Sequence, residues 1–149
     1  MPELQTHHLV PFAPDLMFKV VADIEAYPQF VPYCASMHIL SREKKSETVE
    51  VITTRMAIRY KIFMEHYTSR VTLDRAALAI DVAQTQGPFH FLINTWRFEP
   101  VGEGTKIHFY LNYELRSRSM NLLMGPLFQK LFKNFESAFE KRAAALYSA

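Results

Sequence analysis

A chain of 149 residues with 49% hydrophobic side chains is long enough to bury the core of one domain, and it holds no run of about 20 apolar residues that could cross a bilayer as a helix. Its formal charge of +2 falls far short of the concentrated positive charge of a dedicated nucleic-acid binder, so nucleic acid is not the favoured partner. The single cysteine, Cys34, excludes an internal disulfide framework and fits a reducing compartment.

The N-terminal MPELQTHHLVPF has neither the cationic-then-apolar pattern of a signal peptide nor the Arg- and Ser-rich amphipathic pattern of a transit peptide. The expected location is the cytoplasm, with any membrane contact peripheral at its inner face. No repeat, low-complexity run or Gly/Ser/Pro-rich linker divides the sequence, so one domain is expected over residues 1–149. Residues 3–12 read as a first strand. Ala13-Pro14-Asp15 then opens a short helix, with Met17, Phe18, Val21 and Ile24 at helical spacing. Pro28 and Pro32 frame a second helical turn over residues 27–33.

From residue 35 to 115 the helical period gives way to runs rich in Val, Ile, Thr, Phe and Tyr, which predict five or six antiparallel strands. Turn signals stand at residues 41–46, 74–76, 86–88 and 102–104. In the last strand Ile107, Phe109, Leu111, Tyr113 and Leu115 share one face, and His108, Tyr110, Asn112 and Glu114 the other. Gly125 and Pro126 then introduce a long helix to about Leu146. Phe128, Leu131, Phe132, Phe135, Phe139 and Leu146 form its apolar arc, opposite Lys130, Lys133, Glu136, Ser137, Glu140 and Lys141. Burying each large side chain of that arc contributes ~1.5 to 3 kcal/mol, so packing rather than propensity holds the helix. The order of elements predicts an α+β domain in which a curved antiparallel sheet wraps around a long C-terminal helix. Aromatic and aliphatic walls around one helix leave room for an apolar cavity, a solidly packed core being the alternative.

Three ordered blocks carry a family resemblance: FKVVADIEAYPQFVPYC at 18–34, GPFHFLINTWRFEP at 87–100 and FESAFEKRAAALY at 135–147. Together they resemble the coenzyme Q-binding START-domain family, part of the polyketide cyclase-like superfamily that also holds the ribosome-associated toxin (RatA-like) relatives. The resemblance spans nearly the whole chain. It implies a helix-grip fold, START-like or Bet v 1-like, with no catalytic chemistry and no catalytic cofactor. It also implies binding of a prenylated quinone, ubiquinone or a similar isoprenoid lipid, chaperoned or delivered in support of respiratory electron transport. Tyr33 departs conservatively from the Trp that commonly precedes the cysteine in relatives.

The ligand contacts expected on this reading are Phe30, Met56, Ile58, Met64, Asn94, Trp96, Phe109, Leu111, Tyr113, Phe128, Leu131, Phe132 and Phe135. Trp96 and Phe98 share a strand face with Leu92 and Asn94, an arrangement that suits a quinone head needing ring contact and one hydrogen bond. The opposite face, with Phe91, Ile93 and Thr95, would reverse that assignment if it were the inward one. Met56, Ile58, Ile62 and Met64 flank a hairpin whose inward side would be soft enough for an isoprenoid tail. Ordinary core packing is the competing reading of all these residues. Arg142 falls on the apolar arc, where an ion pair with Asp23 or Glu25, or a snorkelling side chain, would satisfy it. Arg116 and Arg118 beside Met120, Leu122, Leu123 and Met124 read as a membrane contact or as a lid folded onto the domain.

No Gly-x-Ser-x-Gly elbow, phosphate loop or His-Glu-x-x-His pair occurs. The six histidines lack ligand spacing, and no cationic neighbour in sequence activates Cys34. Two other functions stay open: a cyclase or aromatase with an inward His66, His90 or His108, and a ribosome-associated module acting through a basic outer surface.

Overall fold

Prolines, turn residues and alternating strands divide the chain much as the pattern predicts. The computed structural model describes residues 3–60 and 63–147, with the side chains of Tyr60, Phe63, Met124, Leu127, Leu131 and Phe132 outside that description. After β1 (Glu3–Val10), α1 (Pro14–Ala22) starts where extended Ala13 meets Pro14, which has no N–H to satisfy in a first turn. Asp15 in that turn complements the helix dipole, and the helix buries Met17, Phe18, Val20 and Val21. A 3₁₀ turn (Ile24–Gln29) follows.

Six strands come next: β2 (Cys34–Lys44), β3 (Val49–Tyr60), β4 (Phe63–Asp74), β5 (Ala79–Gln86), β6 (Phe89–Val101) and β7 (Gly104–Leu115). β2 runs on through part of the stretch expected as a turn. The chain reverses instead near Ser46, whose Oγ accepts the N–H groups of Thr48 and Val49 at 3.3 and 3.1 Å. All pairings are antiparallel, in the order β1-β7-β6-β5-β4-β3-β2. Register shifts at Cys34/Ser36, Ile39/Ser41, Thr68/Ser69 and Phe89/Phe91 give the sheet the bulges that curvature needs. The first and last strands lie so close that a Cβ on Gly104 would stand 2.4 Å from the Val10 carbonyl oxygen.

The C-terminal helix differs from expectation in two ways. It begins at Arg118 rather than Gly125, because Ser117 Oγ accepts the Met120 N–H at 3.0 Å and caps the first turn. Pro126 is therefore interior, where its missing N–H frees the Leu122 carbonyl on a solvent-facing turn. The helix is also divided at Asn134 into α2 (Arg118–Lys133) and α3 (Phe135–Tyr147); Asn134 Nδ2 donates to the Lys130 carbonyl at 3.0 Å. α3 buries Phe135, Ala138, Phe139 and Ala143 against the concave face, but Leu146, expected in the buried arc, is 49% exposed because the buried stripe ends at Ala143. Thr6 Oγ1 donates to Glu136 and His8 Nε2 meets Glu140, each at 2.6 Å, fastening α3 to β1.

Trp96 is the hub of the core. Its ring lies edge to face with Phe109 (4.8 Å) and Phe139 (5.1 Å) and stacks on Phe98 (6.1 Å). Such pairs add ~0.5 to 1.5 kcal/mol each beyond the area they bury.

Candidate ligand-binding cavity

The sheet and α3 do not fill the space between them. An interior cavity remains, with about 50 Å³ open to the centre of a water-sized sphere. One water needs ~10 to 15 Å³ by that measure, so the cavity exceeds an ordinary packing defect. Its roof comes from Val21 of α1, Ile24 and Tyr27 of the 3₁₀ turn, and Phe135 of α3. The sheet supplies Met37, Thr54 and Met56, then Tyr67, Ser69 and Val71 of β4, and Ile80 and Val82 of β5. Leu92, Asn94 and Trp96 of β6 and Phe109 and Leu111 of β7 complete the lining.

The polar groups in this wall are few. Asn94 Oδ1 accepts the Trp96 indole N–H at 2.9 Å, while Asn94 Nδ2 donates to the Tyr110 carbonyl at 2.9 Å. The Tyr27 hydroxyl donates to the Val21 carbonyl. Among the described residues the Tyr67 hydroxyl finds only Met56 Sδ, at 3.1 Å, and the buried Ser69 Oγ has no hydrogen-bond partner. Burial pushes both phenols above the ordinary tyrosine range and the Cys34 thiol up to about 12, so all three are held protonated at neutral pH. Among the described residues the lining includes no histidine and no carboxylate. His66 and His90 are exposed. His108 lies on the outer face, with Nδ1 at 2.6 Å from His7 Nδ1 and Nε2 at 2.8 Å from Glu99. The described residues form no cluster of three or more His, Cys, Asp or Glu that could hold a metal.

Of the residues expected at a ligand, Met56, Asn94, Trp96, Phe109, Leu111 and Phe135 meet around the cavity. The inward face of β6 is the one with Leu92, Asn94, Trp96 and Phe98. Others pack elsewhere. Ile58 is core outside the lining, and Phe128 and Tyr113 flank Phe89 at ring distances of 4.9 and 5.7 Å. Phe30 packs edge-on to Phe139, with the Arg142 guanidinium 5.2 Å above its ring. Met64 is a correction: it pairs with Arg59 on the convex face and is 39% exposed. Ile62, and the side chains of Leu131 and Phe132, lie outside the described residues.

Arg142 donates to Gln29 Oε1 at 3.3 Å rather than to Asp23 or Glu25, its half-buried side chain reaching over Phe30 to an exposed partner, which fits the snorkelling alternative. In the basic segment, Arg116 Nε donates to the Gly87 carbonyl at 2.8 Å, Arg118 is exposed and Met120 packs on the core. Leu122 and Leu123 are 79% and 63% exposed; the Met124 side chain lies outside the described residues. No described helix is long and apolar enough to cross a membrane, which speaks of helices only.

Sequence reasoning missed the hydroxyl-bearing Thr54, Tyr67 and Ser69. The signal was present, because Thr54 shares the face of Met56 by period two, and pairing Met56 with Tyr67 brings Ser69 and Val71 inward as well.

Residues 10–140 match the family described as polyketide cyclase / dehydrase and lipid transport, and the chain belongs to that family. It is 34% identical over 146 residues to the ribosome association toxin RatA of Rickettsia prowazekii, covering 96% of this chain and 97% of that protein. It is 28% identical over 135 residues to the mitochondrial coenzyme Q-binding protein COQ10 of Dictyostelium discoideum, covering 89% of this chain and 64% of that one. A START superfamily protein from Mycobacterium smegmatis superposes with a TM-score of 0.78 at 20% identity, covering 97% and 98% of the two chains. The fold is the START-like helix grip that the three sequence blocks implied.

Proposed function

We propose that the protein is a noncatalytic carrier that seats the ring of an isoprenoid quinone, such as ubiquinone, in this cavity and delivers it at a membrane in support of respiration. The observation that carries this reading is an internal apolar cavity walled by rings and soft methionines, with no acid–base pair among its described lining residues. The family's lipid-transport description and the coenzyme Q-binding relative support the ligand class. Ligand pockets typically measure ~300 to 1,000 Å³, so a quinone must widen this one; Met37 and Met56, unbranched and flexible, are the side chains suited to yield. The tail would leave beside α2, whose Leu122 and Leu123 face solvent near Arg118, as an interfacial surface requires.

The test is protein purified from a quinone-making host, extracted with organic solvent and analysed by mass spectrometry. Wild type is expected to retain quinone. Val71→Phe, which fills the cavity at a cost of ~1 to 3 kcal/mol, is expected to remain folded and lose it. An empty extract from folded wild-type protein sinks the reading.

A second reading, ribosome association, is favoured by one observation besides the RatA relative. On the convex face Arg55, Arg59 and Arg70 are exposed, and their cross-strand partners His38, Thr68, Met64, Thr53 and Ala83 bring no carboxylate. A chain of small net charge thus carries a locally basic outer surface.

A further inference from the structure

We infer that the oxygen-bearing head of the ligand lies against a strip of hydroxyl groups on β3 and β4, formed by Thr54, Tyr67 and Ser69, and not against Asn94. This rests on the carrier reading above and deepens it. Ser69 is 3% exposed, lines the cavity, and its Oγ is buried without a partner among the described residues. A buried hydroxyl left in that state destabilises the free protein, and an acceptor inside the cavity would relieve it.

Its neighbours extend the strip. Thr54 stands directly opposite Ser69 in the β3–β4 ladder, which puts the two Cβ atoms roughly 4.5 to 5.5 Å apart. Tyr67 is two residues from Ser69 on the same face, and its hydroxyl donates to a thioether sulfur, a weak acceptor that a carbonyl oxygen would outcompete. Burial holds that phenol protonated and therefore able to donate. Asn94 is already engaged, its carbonyl oxygen by the Trp96 indole and its amide by the Tyr110 carbonyl, so its place in the wall is to orient Trp96. The ligand class this strip selects is a ring bearing carbonyl oxygens on one edge, with the remaining apolar wall against its face and tail. The register shift at Thr68/Ser69 in the β4–β5 pairing lies at the same point, where the backbone bends around the strip.

The experiment uses two probes with the same tail, decylubiquinone and decylbenzene, titrated into ligand-free full-length protein. The sole tryptophan, Trp96, lines the cavity and its emission is the readout. Thr54→Val/Ser69→Ala is expected to weaken decylubiquinone roughly 10-fold and to leave decylbenzene unchanged or tighter. Ser69→Ala alone only deletes an unpartnered oxygen; it is expected to fold, to keep or raise the thermal midpoint of the ligand-free protein, and to weaken decylubiquinone roughly 3-fold. It answers the question if the double variant does not fold. Equal weakening of both probes, or no weakening of decylubiquinone, overturns the assignment while leaving the carrier intact. Failure of wild type to bind either probe overturns the carrier reading, and this assignment with it.

Discussion

Asn94 and Ser69 are both small, polar and buried in the same wall, yet their free-energy roles are opposite. Asn94 satisfies the buried indole N–H of Trp96 and also donates to the Tyr110 carbonyl, so its loss leaves the indole donor buried without that acceptor. Asn94→Leu is expected to cost ~2 to 4 kcal/mol, seen in urea titration as a lower midpoint at unchanged slope. A loss under about 0.5 kcal/mol would mean that the indole finds another acceptor. Ser69 Oγ satisfies nothing among the described residues, and so removing that hydroxyl is expected to be neutral or stabilising. This difference could not be read in the sequence, where a serine in a strand looks like any solvent-facing residue. The register turns Ser69 inward beside Thr54, and the lack of a partner for its Oγ among the described residues reveals the difference.

The strands were the legible elements and the C-terminal helix the misread one. Period two in Ile107, Phe109, Leu111, Tyr113 and Leu115 announces the buried face of β7, whereas in β6 both faces carry apolar residues and the structure decides for the one with Leu92, Asn94, Trp96 and Phe98. Met64 was misplaced because parity does not carry through a hairpin: Arg59 pairs with Met64, so an odd outward residue meets an even one. Pro126 was taken as a start because proline favours a first turn, whereas a proline on an exposed turn is tolerated inside a helix whose cap lies upstream at Ser117. That longer α2 has a use in the carrier reading. Among its described side chains only Phe128 is fully buried, and Leu122 and Leu123 point to solvent. Leu122→Ser/Leu123→Ser is expected to leave thermal stability within about 0.5 kcal/mol and to abolish co-flotation with anionic lipid vesicles. Undiminished flotation of the variant, or none of the wild type, would remove α2 as the membrane contact.

Taken whole, the molecule has a concave apolar side and a convex side where Arg55, Arg59 and Arg70 meet no carboxylate among their described cross-strand partners, and the two can be tested apart. Reversing Arg55, Arg59 and Arg70 to Glu is expected to abolish salt-sensitive co-sedimentation with ribosomal subunits and to leave quinone retention unchanged. If wild type fails to co-sediment even at low salt, the second reading ends there. The connectivity has a further consequence. β1 is hydrogen-bonded to β7, whose residues are translated about a hundred positions later, and α3, which is fastened to β1, is made later still. While the chain is still emerging from the peptide exit tunnel, the middle strands can form a meander but have nothing over their greasy side. The compartment does not exist until α3 has been made. On the carrier reading, cargo is taken up only after α3 has emerged, and the newborn protein passes through a stage that depends on slow, distant pairings and on protection from aggregation.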